Sequence, residues 1–341
     1  MTRPLILVDP APRTLDAILR PRTRTRLEAV ADLVIHEDGP MPDAVVDQHL
    51  PRAAIVMGQT ALDADRLARA PHLRAVMNVE TNFLDNVDYA ACFARGIHVL
   101  TPGGAFAEVV AETALAIAID LARGIGAADR AMRAGREAYG LEGNAGAFRF
   151  AGSTVGIIGY GDLGRAFHAL LAPFRCEVIV HDPWVPDYVL EKAGCRPVAL
   201  DHLLATARVI AVFAGVTAEN TGFLDRTRLG MIRSGSVFVL MSRAAVVDFP
   251  ALIDLVRAGR FRAGTDVFPE EPVPPDDPVR GLDGMLLSAH RAGALPDALH
   301  EIGEQAVADI ELILRGLPPM VCRRAQPETV GRMRSKPVAA T

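Results

Sequence analysis

The stretch Thr154-Val-Gly-Ile-Ile-Gly159-Tyr160-Gly161-Asp162-Leu163-Gly164-Arg165 reads as a strand, a tight glycine turn and the opening of a helix. The next apolar run, Cys176-Glu-Val-Ile-Val-His-Asp182, closes on an acid. Strand, G-x-G-x-x-G turn, helix and a strand-end carboxylate in series form a dinucleotide-binding fingerprint. In that pattern Gly159 makes the turn, Gly161 lets backbone approach a pyrophosphate, and Gly164 lets helix pack on strand. The pyrophosphate is held at the helix N-terminus, where unpaired N–H groups and the helix dipole favour an anion. Tyr160, Asp162 and Leu163 ride in the same turn. Asp162 is expected to cap the helix with its side chain and to point away from a ligand. Asp182 is expected to accept hydrogen bonds from the adenosine ribose and to repel a 2′-phosphate, so NAD is favoured over NADP. An ordinary glycine turn is the competing reading, and it leaves the acid at the next strand end unexplained.

The fingerprint starts late, so the residues before it must build something else. A chain of 341 residues accommodates about two domains. Hydrophobic residues make up 50% of it, enough for substantial cores, and the net charge of −5 has both signs interspersed, unlike the basic footprint of a nucleic-acid binder. No apolar run reaches the roughly 20 residues that span a bilayer. Met1-Thr-Arg-Pro-Leu-Ile-Leu-Val reads as a strand rather than a signal peptide. Cys92, Cys176, Cys195 and Cys322 lack metal or redox spacing. They read as reduced thiols of a cytoplasmic protein, and no metal is expected.

Five short apolar runs, at 5–8, 33–35, 54–57, 75–77 and 97–100, alternate with helical stretches such as 63–69. A second set, at 178–180, 209–213, 237–240, 263–266 and 285–288, follows the glycine turn. Such alternation implies parallel sheets with helices on their faces. The helix at 108–123 is apolar on most sides, which suggests burial between domains or in a subunit contact. Another long helix runs over 295–316. The basic, proline-containing tail from Arg323 shows no pattern and is expected to be mobile.

Three later segments sit just after apolar runs, at the carboxyl edge where α/β sheets place ligands. They are Val239-Leu-Met-Ser-Arg243, Gly264-Thr-Asp266-Val-Phe-Pro-Glu270-Glu271-Pro272 and Leu286-Leu-Ser-Ala-His290. With the glycine turn, these resemble the D-isomer-specific 2-hydroxyacid dehydrogenases over roughly residues 50–320. The resemblance implies a catalytic trio of Arg243, Glu271 and His290, with Asp266 near the nicotinamide and Thr217 on the cofactor side. It also implies NAD as cofactor, a homodimer, and an α/β fold of two Rossmann-like or flavodoxin-like doubly wound parallel-sheet domains with a cleft between them. Residues 1–104 plus 294–341 would form the substrate domain, and 105–293 the NAD-binding domain. The residue types suit reduction of a 2-keto acid. A histidine delivers the proton near neutral pH, and a carboxylate beside a histidine favours the charged ring and fixes its orientation. An arginine grips a carboxylate and polarises a keto oxygen with one planar fork. The eight other histidines (His36, His49, His72, His98, His168, His181, His202 and His300) read as structural.

The chain departs from the family pattern in its substrate loop, Asn78-Val-Glu80-Thr81-Asn82-Phe83-Leu84-Asp85-Asn86-Val87-Asp88. Thr81 and Phe83 stand where the family has glycines that permit positive φ and close ligand approach. A reshaped pocket, with Asn82 and Phe83 facing the substrate, is one expectation, and core packing of Phe83 is the other. Glu80 would oppose a strongly anionic substrate if it pointed inward. Leu240 replaces a common asparagine, Ala244 a glycine, and Phe213-Ala-Gly-Val-Thr217 the usual His-x-Pro-Leu-Thr. The reading is an NAD-dependent 2-hydroxyacid dehydrogenase acting on a small 2-hydroxy or 2-keto acid, without nucleic-acid or membrane partners. A non-catalytic NAD(H)-sensing protein of corepressor type on the same fold is the alternative. A formate dehydrogenase relative fits less well, because formate oxidation needs no acid–base pair.

Overall fold

The protein is described here by a computed structural model that covers residues 3–217 and 219–332. The chain divides into two compact units, one running to Phe106 and resuming at Ala294, the other spanning Ala107–Gly293.

In the first unit, strands β1 (Leu5–Asp9), β2 (Asp32–Ile35), β3 (Ala53–Gly58), β4 (Ala75–Met77) and β5 (His98–Thr101) are parallel. The second unit contains β6 (Thr154–Ile158), β7 (Glu177–His181), β8 (Arg196–Pro197), β9 (Val209–Val212), β10 (Val237–Leu240), β11 (Arg262–Thr265) and β12 (Met285–Leu287). The chain then returns to the first unit and adds β13 (Arg323–Arg324) antiparallel to β5. Sheet order among the described residues is β13-β5-β4-β3-β1-β2 in one unit and β12-β11-β10-β9-β6-β7-β8 in the other. The first is a flavodoxin-like order with one added edge strand. The second is the Rossmann order extended by one strand.

Burial explains why the strands read as unbroken apolar runs. Every residue of β1, β3, β9 and β10 is buried, as expected for parallel strands covered on both faces. Within β1, Ile6 and Val8 point into one core and Leu7 into the other, following the two-residue period of a strand. The helix Pro296–Leu314 closes the first of these cores with Ile302, Val307 and Ile310.

The helix Ala107–Arg123 is buried along one stripe, including Val110, Ala114, Ile117 and Leu121, and packs on β10 and β11 of its own unit. That stripe serves a core within its own unit. A run of exposed apolar side chains lies further on. Ile125, Met132, Tyr139 and Leu141 are exposed, Leu141 to 91%, and the helix Ile125–Arg133 buries no residue.

The tail departs from its expected mobility as far as Arg332. The fully buried Asp309 carboxylate accepts backbone N–H groups of Met320, Val321 and Cys322 at 2.7–3.2 Å, which turns the chain back onto the sheet edge. Ala325 is buried and Pro327–Val330 forms a short helix. A two-residue strand is too short to leave a periodic signal. The remainder of the tail, 333–341, lies outside the described residues.

Gly264 in β11 faces the helix Ala107–Arg123 so closely that an added Cβ would stand 2.3 Å from Ile117 Cγ2 and 3.1 Å from Leu121 Cδ1. Gly264→Ala should therefore destabilise the protein by about 1–3 kcal/mol through overpacking. Chemical denaturation measures this, and an unchanged midpoint would contradict the packing described.

Candidate active site

The glycine turn after β6 holds three glycines for three separate reasons. Gly159 has φ +91°, and a Cβ there would lie 2.5 Å from Ala214 N in the loop that follows β9. Gly164 sits on the helix Asp162–Leu171, where a Cβ would strike Gly159 O at 2.3 Å. Gly161 is different: nothing lies within 4 Å of where its Cβ would be. Its open side is at the helix N-terminus, where Gly161 itself has no side chain to cap the helix. Gly161 occupies the cap position and Asp162 the first turn. An open glycine at a helix N-terminus, at the β6/β9 point where the strand order reverses, fits a diphosphate.

Asp182, just beyond β7, accepts Tyr160 N–H on Oδ2 at 2.7 Å and Trp184 N–H on Oδ1 at 2.8 Å. Its carboxylate is thus oriented by backbone, and each oxygen keeps a lone pair for a further donor such as a ribose hydroxyl. Leu163 lies in the first turn of the helix. Thr217, in the loop after β9, is tied locally: its N–H donates to Asn220 Oδ1 at 2.7 Å and its Oγ1 accepts Glu219 N–H at 3.3 Å.

The neighbouring strands β10, β11 and β12 end side by side, and the loops after them carry Arg243, Glu271 and His290. Glu271 Oε2 meets His290 Nδ1 at 2.6 Å, and Glu271 Oε1 accepts Phe268 N–H at 2.8 Å. His290 is one of three non-glycine residues with positive φ among the described residues, at 49°. Arg243 donates from Nη1 to Ser242 O at 2.7 Å. Burial pushes its guanidinium below the ordinary arginine range, and the Glu271 carboxylate opposes that shift.

Asp266, only 3% exposed, binds these loops together. Its carboxylate accepts Ser288 Oγ–H at 2.5 Å and the N–H groups of Arg291 and Ala292, each at 3.0 Å. Its backbone C=O accepts His290 N–H at 2.8 Å, and its N–H donates to Leu240 O at 3.3 Å. Asp266 therefore has a scaffolding part in addition to any contact with cofactor. Ser288, quoted in the sequence motif without a role, is the hydroxyl that serves it. A serine two residues before the histidine was the available signal.

In the first unit, Thr81 has φ +66°. The backbone keeps the left-handed conformation natural to glycine although a β-branched residue occupies it. Phe83 packs against the core that contains Leu62, Val87 and Cys92 while staying half-exposed, so core packing is at least part of its place. Asn82 Nδ2 lies 3.5 Å from Glu80 O. Glu80 is buried and ion-paired with Arg13 Nε at 2.8 Å, so its charge is countered locally.

Comparison with known proteins places this geometry in context. The family described as "D-isomer specific 2-hydroxyacid dehydrogenase, NAD binding domain" matches residues 115–292. A crystal structure of a phosphoglycerate oxidoreductase from Rhizobium etli is 45% identical with a TM-score of 0.88, covering 96% of this chain and 100% of that one. D-3-phosphoglycerate dehydrogenase of Mycobacterium leprae is 34% identical over 265 residues, 77% of this chain and 49% of that protein. Glyoxylate reductase of Thermofilum pendens is 26% identical over 314 residues, 87% of this chain and 90% of that protein. The chain spans about half the length of the phosphoglycerate dehydrogenases it matches.

The glycine geometry yields a paired prediction. Gly161→Ala should leave the melting temperature of the ligand-free protein nearly unchanged yet weaken NADH binding. Gly164→Ala should lower stability by about 1–3 kcal/mol by steric conflict with Gly159. Thermal melts alongside NADH fluorescence titrations distinguish the two, and equal stability loss in both variants would contradict the assignment of an open ligand side to Gly161.

Proposed function

Because the chain belongs to the D-isomer specific 2-hydroxyacid dehydrogenase family, we propose that it reversibly oxidises a small 2-hydroxy acid to the 2-keto acid with NAD. The observation that carries this reading is the 2.6 Å Glu271–His290 pair, on the loops after β11 and β12, next to the β10 loop that carries Arg243. The open Gly161 turn and Asp182 would hold the dinucleotide's diphosphate and adenosine ribose. When bound, the reduced cofactor supplies the hydride for the keto carbon.

Arg243 grips the substrate carboxylate and polarises the keto oxygen, and its burial strengthens that attraction by removing competing water. With Nδ1 engaged by Glu271, His290 has Nε2 left for proton transfer to the developing alkoxide. In the oxidative direction the neutral ring takes the hydroxyl proton. Glu271 acts through His290, fixing its orientation and favouring its charged form in the transition state. Asn82 and Phe83 complete the proposed substrate contacts. NADH oxidation with glyoxylate, hydroxypyruvate and pyruvate, and NAD reduction with D-3-phosphoglycerate, tests the function. Saturable NADH binding without turnover on any of these acids would favour the sensing protein instead.

The proposed assembly is a homodimer formed through the exposed apolar surface of Ile125, Met132, Tyr139 and Leu141.

Two outcomes are expected. His290→Ala should lower kcat by about 10²–10⁴-fold while NADH affinity is retained; unchanged kcat in steady-state assays removes His290 from the acid–base role. Light scattering should give twice the 36.4 kDa chain mass for the native protein and a monomer for the Ile125→Asp/Leu141→Asp double variant. A native monomer excludes the homodimer.

A further inference from the structure

Tyr160 stands between Gly159 and Gly161, where the backbone has little rigidity of its own. Its side chain nevertheless is 2% exposed and held from several sides. The phenol oxygen lies 2.7 Å from His168 Nδ1, two turns along the same helix that receives the diphosphate. The Arg165 guanidinium covers the ring at 4.8 Å from its centroid. Cys195 Sγ, on the segment leading into β8, lies 3.3 Å from the same His168 nitrogen. Tyr160 N–H is spent on the Asp182 carboxylate at 2.7 Å. One residue thus connects the phosphate turn, the helix beneath it and the acid that faces the ribose.

Proton placement in this cluster follows from burial. Desolvation pushes the Tyr160 phenol and the Cys195 thiol up and His168 down from their ordinary values. All three are therefore neutral near pH 7, and in the tautomer of His168 protonated on Nε2 the phenol donates to the Nδ1 lone pair.

We propose that His168 is a positioning residue for the cofactor: by accepting the Tyr160 hydroxyl it holds the Gly159–Gly161 turn, and through Tyr160 N–H the Asp182 carboxylate, in the binding geometry. Pre-organising a two-glycine turn removes part of the ordering cost that NAD(H) would otherwise meet on binding. The inference rests on the reading that the chain binds NAD(H). It also revises the expectation that His168 is merely structural.

Fluorescence titration with NADH, well below the melting temperature, tests it. His168→Ala and Tyr160→Phe should each raise Kd by about three- to ten-fold, the size of one neutral hydrogen bond. Because both remove the same bond, the double variant should be no weaker than either single one. His168→Asn, whose amide oxygen can stand near the Nδ1 position, should recover most of the affinity. The NADH requirement should move in KM, with kcat at saturating NADH altered by less than about two-fold. A Kd for folded His168→Ala equal to the native value, or strictly additive losses in the double variant, overturns the proposal. Failure of the native protein itself to bind NADH would instead overturn the family-based reading.

Discussion

The buried carboxylate of Asp266 is the constraint on which the rest of the site depends. Parallel strands deliver their loops to one edge but do not by themselves fix how those loops stand against each other. Asp266 does so with five hydrogen bonds, two from its backbone and three to its side chain, reaching the end of β10 and the loop after β12. A buried carboxylate is tolerated only when its lone pairs are met. The same requirement that stabilises Asp266 therefore dictates where His290 begins. An unsatisfied partner among these buried groups would cost about 1–3 kcal/mol, so the loop has a strong preference for one conformation.

From that anchor the acid–base pair follows. His290 has its N–H on Asp266 and its Nδ1 on Glu271, and it takes a positive φ to satisfy both. Backbone in this region is uncommon outside glycine, although histidine enters it more readily than most residues. Thr81 in the first unit, at φ +66°, is the costlier case because its Cβ is branched. The backbone there takes the conformation that a glycine would adopt. Local strain of this kind persists where surrounding bonds over-determine the backbone.

The cofactor turn divides its work differently. Gly159 and Gly164 are required by the fold, since any Cβ would strike neighbouring backbone. Gly161 is required by no neighbour in the protein, which is what makes it informative about a ligand. Rigidity in this turn comes from Tyr160, whose buried ring and hydroxyl tie it to the helix. Binding surface and structural support are thus separate residues within one six-residue motif.

Much of this was legible in the residues alone. Buried parallel strands appear as continuous apolar runs because both faces are covered, so β1, β3, β9 and β10 announced themselves. The G-x-G-x-x-G turn and the acid at 182 declared a nucleotide fold because backbone geometry there admits few residue types. Composition misled at the tail, where the buried Asp309 supplies an order that no local pattern carries. Only the tertiary structure decided that Asp266 bonds Ser288 and that Tyr160 and Cys195 both reach His168. The physical reason is the range of the interactions. Periodicity and turn chemistry act over a few residues along the chain, whereas strand order and loop geometry determine which distant side chains satisfy one another.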